Sequence, residues 1–209
     1  MVSRLPFIPT ETEIDQLIAG CRKKTSTLLQ LLKETGMRIG EASRIRWEDI
    51  DFLSSTIRIT PEKGSNPRVF KLSGRLISML QSLKPSPRKQ VFGDLKSTRR
   101  LYYKARKSAA RKLQNPRIIQ ITFHTFRHWK ATMEYAKTKD ILHVMKVLGH
   151  KNIRNTLTYV QLEEAIFSKK DEEYTCKAAE TVKEAGELIE LGFEYVCDIG
   201  SIKLFRKRK

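Results

Sequence analysis

The nine residues His124-Thr125-Phe126-Arg127-His128-Trp129-Lys130-Ala131-Thr132 carry the densest polar chemistry of the chain. His124 and His128 stand four apart, the spacing of two zinc ligands on one helix face, but the zinc-protease pattern requires a glutamate directly after the first histidine. Thr125 holds that place, so no metal is expected and a cationic cluster remains. On its C-terminal side, Leu148-Gly149-His150 reads in isolation as a helix end with a histidine suited to the helix dipole. Tyr159 in Thr156-Leu157-Thr158-Tyr159-Val160 reads in isolation as a core or rim aromatic. On the N-terminal side, Thr35-Gly36-Met37-Arg38-Ile39-Gly40-Glu41-Ala42 brackets an arginine with glycines at a helix start, and Lys63-Gly64 forms a turn.

Helices outnumber strands in the surrounding chain. Thr10-Glu11-Thr12-Glu13 is a capping box, and Ile14, Leu17, Ile18 and Cys21 continue one apolar stripe, predicting a helix to about Arg22. Thr27 to Thr35 predicts a second helix, apolar on most sides and closed by Gly36, and Ile39 to Ile45 a short third. Residues 56–60 alternate with period two and Arg68 to Leu72 supply a second strand, which puts Lys63 at a hairpin tip. Leu76, Met79, Leu80 and Leu83 mark another helix, broken by Pro85-Ser86-Pro87, and Asp140 caps one that ends at Gly149. The three cysteines, Cys21, Cys176 and Cys197, are odd in number and far apart; they support no disulfide framework and are expected to be small buried hydrophobes.

Charge narrows the class of partner. The 209 residues include 41 Lys+Arg and 23 Asp+Glu, a net +18. Residues 1–162 hold 32 basic and 12 acidic side chains, whereas 163–209 hold 9 and 11, so a polyanion is expected to bind the first part. Between Arg88 and Arg117, eleven basic residues accompany one acid, Asp94. Helix faces that merely solvate usually mix signs. This run is therefore expected to contact phosphates through Arg99, Arg100, Lys104, Arg106 and Lys107, with Arg68 beside them. No apolar run is long enough for a bilayer and the N-terminus has no signal-peptide core, so a cytoplasmic, nucleoid-associated protein with no membrane partner is expected.

Taken in order, Arg38, Lys63, His124-x-x-Arg127, Gly149-His150 and Tyr159, nine positions after His150, closely resemble the catalytic signature of the tyrosine recombinases, the phage-integrase family. Thr-Gly-x-Arg-x-Gly-Glu at 35–41, Arg46-Trp47-x-Asp49-Ile50-Asp51 and the Arg68 that follows Lys63-Gly64 fit as well, and the resemblance covers residues 8–168. It implies a mainly α fold with a small antiparallel β-sheet, residues 1–168 being the catalytic domain. The implied activity is that of a site-specific DNA recombinase or integrase, which cleaves and rejoins strands through a 3′-phosphotyrosyl intermediate without metal or nucleotide cofactor. Arg38 and Arg127 would clamp the non-bridging oxygens bidentately and His150 add a donor. Tyr159, its pKa lowered by the cationic pocket, would be the nucleophile. Lys63 resembles the general acid for the leaving 5′-oxygen, and His124 the residue that orients the tyrosine or accepts its proton. Glu41 is expected to position its helix, and His128 and Trp129 to pack.

The implied partner is double-stranded DNA, with self-association into a synaptic tetramer. Family members usually add an N-terminal helical clamp; as a fragment or a minimal integrase, this chain is expected to bind DNA more weakly than a two-domain clamp. Two alternatives stay open: nicking and religation like a type IB topoisomerase, and a non-catalytic, integrase-derived DNA-binding protein. Residues 169–209 predict a helix striped by Ala178, Val182, Ala185 and Ile189, then a hairpin of 193–198 and 202–206. That hairpin is too small to stand alone and is expected to dock on its own body or on a neighbouring protomer. The helix-plus-hairpin tail, ending in the basic stretch Lys203 to Lys209, resembles archaeal integrases in particular.

Overall fold

Leu28, Leu29, Leu31 and Leu32 are all shielded from water because α2 (Lys23–Thr35) is packed on several sides, against α1 (Glu11–Ala19), α4 (Gly74–Gln81) and α6 (Phe123–Thr138). The computed structural model describes residues 5–62, 65–83, 89–167 and 174–208, in two compact units, Met1–Ile166 and Phe167–Lys209. Lys63, Gly64 and Pro85-Ser86-Pro87 lie outside the described residues.

In the first unit Thr10 caps α1 reciprocally with Glu13, and the helix ends at Ala19, earlier than its apolar stripe suggests, because Gly20 follows and Arg22 is already extended as the first cap of α2. Gly36 closes α2 at φ 61°, with its N–H on the Leu32 carbonyl, and a Cβ there would press to within 3.1 Å of the Lys130 side chain. Glycine is thus required twice over. The short helix α3 (Ile39–Arg44) leads into an antiparallel sheet of β1 (Ile50–Asp51), β2 (Thr56–Ile59) and β3 (Arg68–Lys71), in that order, with Ile57 opposite Phe70 and Ile59 opposite Arg68. β1 has only two residues, too few for any periodicity to announce it.

The basic run forms α5 (Leu95–Lys112), capped by Asp94, which buries only Tyr102, Ala109 and Ala110. Two further helices, α7 (Ile141–Leu148) and α8 (Arg154–Phe167), complete the unit. Asp140 caps α7 by accepting from the backbones of Leu142 and His143, and Gly149 ends it at φ 68°.

The second unit corrects the expected tail. Residues 174–179 form a strand, β4 (Tyr174–Ala179), followed by α9 (Val182–Glu190), β5 (Glu194–Ile199) and β6 (Ile202–Arg208), in the sheet order β4-β6-β5. Val182 and Ile189 are 88% and 60% exposed; the buried cluster is Ala179, Leu188, Phe193 and Phe205. A third strand therefore gives the hairpin a core of its own. Cys176 and Cys197 are exposed rather than buried, since their positions on the sheet fall outside this small cluster, while Cys21 is half-buried and burial raises its thiol pKa to about 11. Among the described residues no helix is long and apolar enough to cross a membrane.

Glu13 ties α1 to the turn that follows α5. Its Oε1 accepts from Asn115 Nδ2 at 3.0 Å and Arg117 Nε at 2.8 Å, and its Oε2 from the Thr10 N–H at 2.8 Å. Burial raises the carboxyl pKa, but these partners, Arg117 foremost, outweigh it and hold the value at about 2. Glu13→Gln is expected to cost about 1 to 2 kcal/mol at neutral pH. A carboxyl whose folded pKa lies below its unfolded value of about 4.3 stabilises above that value. Urea unfolding should therefore show the full difference above about pH 5, fading as pH falls through about 2; a difference independent of pH would exclude charge as its cause.

Candidate active site

Arg38 caps α3 with extended backbone, φ −71° and ψ 148°, which leaves its N–H free to donate to Glu41 Oε2 at 2.8 Å. Its Nη1 lies 3.7 Å from Glu41 Oε1 and donates to Ser65 Oγ, while 31% of the side chain stays open to solvent. Glu41 is 1% exposed and also receives Arg68 Nη2 at 2.6 Å on Oε2. Arg127, 2% exposed, donates Nη1 to the Gly36 carbonyl at 2.9 Å and Nη2 to the Leu148 carbonyl at 2.8 Å. The Leu148 carbonyl accepts from Arg68 Nη1 as well. These carbonyls sit at the ends of α2 and α7, where a helix leaves its last acceptors without internal partners. Two arginines satisfy them and are held in place by doing so.

Arg38, His124 and Arg127 line one cleft of about 340 Å³, together with Glu62, Arg99 and Phe123. His150, which follows the left-handed turn at Gly149, is buried and has Nδ1 2.9 Å from Thr156 Oγ1. Burial, then Arg127, Arg38 and Arg68, lowers its pKa to about 4, so the ring is neutral at physiological pH. Arg127 is brought down to about 10 by burial and by Arg38 and keeps its charge. Burial also lowers His124, again reinforced by Arg127 and Arg38.

Tyr159 on α8 is 2% exposed. Burial raises its pKa and the nearby Arg127 and Arg38 only partly oppose this, which corrects the expected lowering: desolvation of the phenolate outweighs the cations. Its hydroxyl lies 3.2 Å from His128 Nδ1, and His124 makes an edge-to-face contact with the His128 ring at 4.4 Å between centroids. His128, expected only to pack, is therefore the histidine at the tyrosine. The four-residue spacing from His124 already placed both on one face of α6; which of them met Tyr159 depended on the docking of α8.

Two expected DNA contacts are corrected. Arg68 is 8% exposed and consumed by Glu41 and the Leu148 carbonyl, because the register of β3 turns it inward. Arg106 is half-buried, donates to the Ile121 carbonyl at 2.9 Å and holds its guanidinium carbon 5.7 Å from the ring centroids of Tyr102 and Tyr103. Arg99, Arg100, Lys104 and Lys107 are exposed on α5. Lys63 lies outside the described residues, but Glu62 and Ser65, which flank it and Gly64 in sequence, both reach the site. Among the described residues no group of three or more His, Cys, Asp or Glu is placed to hold a metal.

Residues 9–165 match the phage integrase family. Transposase A from transposon Tn554 of Staphylococcus aureus is 30% identical over 172 residues, covering 73% of this chain and 48% of the relative. The tyrosine recombinase XerA of Saccharolobus solfataricus is 26% identical over 154 residues, covering 73% and 51%. The chain thus spans about half the length of these relatives. Among solved structures, XerA recombinase superposes with a TM-score of 0.65 at 21% identity, covering 82% of this chain and 68% of that one. The catalytic domain of bacteriophage HP1 integrase gives 0.58 at 24% identity, covering 77% and 94%. XerH site-specific recombinase bound to its difH substrate gives 0.60 at 24% identity, covering 81% and 56%. The chain belongs to the phage integrase family, and its first unit has the tyrosine recombinase catalytic-domain fold.

Replacing Arg68 leaves the buried Glu41 carboxylate short of its strongest partner. Arg68→Met is expected to lose about 3 to 5 kcal/mol of stability. Adding Glu41→Gln should recover part of that loss in urea unfolding; additive losses would show that the two side chains are not coupled.

Proposed function

We propose that this chain is the DNA-cleaving and rejoining part of a site-specific recombinase, with residues 1–168 as its catalytic domain. The observation that carries the reading is the pairing of a buried tyrosine with two guanidiniums that flank a cleft, Arg127 locked by backbone carbonyls and Arg38 half-open to solvent. In this reading Arg38 and Arg127 neutralise charge growing on the non-bridging oxygens of a phosphodiester, a role that preorganised cations perform without reorganisation. His150 is neutral, with Nδ1 2.9 Å from the Thr156 hydroxyl; in the tautomer whose Nδ1 accepts from that hydroxyl, the ring proton sits on Nε2 and is offered to the phosphate. Tyr159 attacks phosphorus to give a 3′-phosphotyrosyl link, Lys63 protonates the departing 5′-oxygen, and a second 5′-hydroxyl reverses the reaction. Because the phosphotyrosyl link keeps the energy of the P–O5′ bond it replaces, no nucleotide cofactor is needed, and the arginines occupy the role that a metal ion fills elsewhere. The partner is double-stranded DNA, on which copies of the chain assemble into a synaptic tetramer. That XerH was solved on a difH substrate and lambda integrase on a core site supports the choice of polymer.

The test is a labelled suicide duplex followed by denaturing electrophoresis. Wild-type protein is expected to yield a covalent band that Tyr159→Phe abolishes while DNA affinity stays nearly unchanged. An adduct in the Phe variant would move the nucleophile elsewhere, and no adduct from either protein would favour a non-catalytic DNA binder.

The exposed cations of α5 make a second prediction. Log K against log[salt] should fall by about 0.9 for each phosphate neutralised, and replacing Arg99, Arg100, Lys104 and Lys107 with Gln should flatten that slope. An unchanged slope would assign DNA contact to another face.

A further inference from the structure

Tyr159 is buried, burial holds its phenol un-ionised at neutral pH, and the reading above requires it to lose a proton as it attacks. An acceptor is already in place. His128 Nδ1 lies 3.2 Å from the hydroxyl oxygen, with the two ring centroids 5.8 Å apart. His128 is carried by α6 on the turn after His124 and directly after Arg127, so the residue that grips phosphate in the proposed function and the residue at the tyrosine hydroxyl are neighbours on one helix.

We propose that His128 is the catalytic base of strand cleavage, resting on the reading of Tyr159 as nucleophile. Its Nδ1 takes the phenolic proton while the tyrosine oxygen bonds to phosphorus and the P–O5′ bond breaks; the leaving oxygen takes a different proton, from the general acid. In rejoining, the imidazolium returns its proton to the tyrosine as the 5′-hydroxyl displaces it. For Nδ1 to accept, the neutral ring carries its hydrogen on Nε2.

The charged and titratable groups around the ring are His124 and Arg127 on its own helix and Tyr159 on α8. Burial first, then His124 and Arg127, depresses its pKa to about 4, so before DNA arrives the ring is unprotonated and free to accept. A phosphate docking against Arg127 offsets the charge of that neighbour and raises the basicity of His128 as the proton must move.

The test compares wild type, His128→Ala and His128→Asn in single-turnover cleavage of the suicide duplex from about pH 6 to 9, with Tyr159→Phe as control. Asn offers an oxygen that accepts the tyrosine hydrogen bond but not its proton. Both variants are expected to be about a hundredfold slower at neutral pH. Their log rates should climb with pH, as cleavage comes to rely on the small phenolate fraction, and added imidazole should accelerate the Ala variant. Wild-type rates in the Asn variant would overturn the proposal and leave a positioning hydrogen bond. A slow Ala variant with the wild-type pH profile and no response to imidazole would overturn it in favour of packing. If His128→Ala fails to fold by circular dichroism, the rate and pH profile of His128→Asn decide. Adduct in Tyr159→Phe, or none in wild type, defeats the nucleophile reading itself and takes this proposal with it.

Discussion

A carboxylate with almost no access to water cannot be left unpaired, and Glu41 answers that constraint by gathering the site around itself. One oxygen takes the Arg38 backbone and the Arg68 guanidinium; the other faces Arg38 Nη1 and, at 3.4 Å, the Glu62 N–H. Four segments distant in sequence are thereby joined: the start of α3, the end of β2's hairpin arm, β3 and, through Arg68 and the Leu148 carbonyl, the end of α7. Arg127 closes the set by bridging the ends of α2 and α7. Gly149 must be glycine here for two reasons, its positive φ and the Arg68 side chain that a Cβ would strike.

The arrangement is rich in cations beyond what Glu41 neutralises, and that surplus adds to burial at the histidines and opposes it at the tyrosine. It keeps His150 and His128 neutral, with pKa values near 4 in each case after burial has made the larger contribution. In the proposed reaction one of these neutral histidines serves as a donor and the other as an acceptor. The same cations act on Tyr159 in the opposite sense to burial and lose. A buried phenol beside arginines is thus not a ready phenolate, which is why the proposed reaction needs a proton acceptor at Tyr159.

Charge is also segregated by surface. α5 places Arg99, Arg100, Lys104 and Lys107 in solvent, and Arg99 reaches the cleft that Arg38 and Arg127 line, so the exposed cations of the helix continue into the cleft. The second unit keeps a different pattern: Glu184, Glu187 and Glu190 on α9, and Lys203, Arg206 and Lys207 on β6, around a small core of Ala179, Leu188, Phe193 and Phe205.

By itself the sequence determined the parts that depend on local rules. The capping box at Thr10, the left-handed caps at Gly36 and Gly149 and the alternation of β2 are short-range, and each was legible because spacing along the chain equals geometry within a turn, a cap or a strand. The series Arg38, His124, Arg127, His150 and Tyr159 is spread over the chain and was legible only through its resemblance to the tyrosine recombinase signature. What it could not determine was which way a side chain faces once elements dock. Arg68 and Arg99 are both basic residues near the same motifs, yet the register of β3 against β2 buries one and the shallow seat of α5 exposes the other. His124 and His128 share a helix face, and only the position of α8 brings His128 to Tyr159. In the tail, the stripe of Ala178, Val182, Ala185 and Ile189 fits a helix as a pattern, but residues 174–179 pair with β6, and long-range strand pairing overrides a short apolar period. The physical reason is the same in each case: desolvation and partner choice belong to the tertiary contact, and no local periodicity contains them.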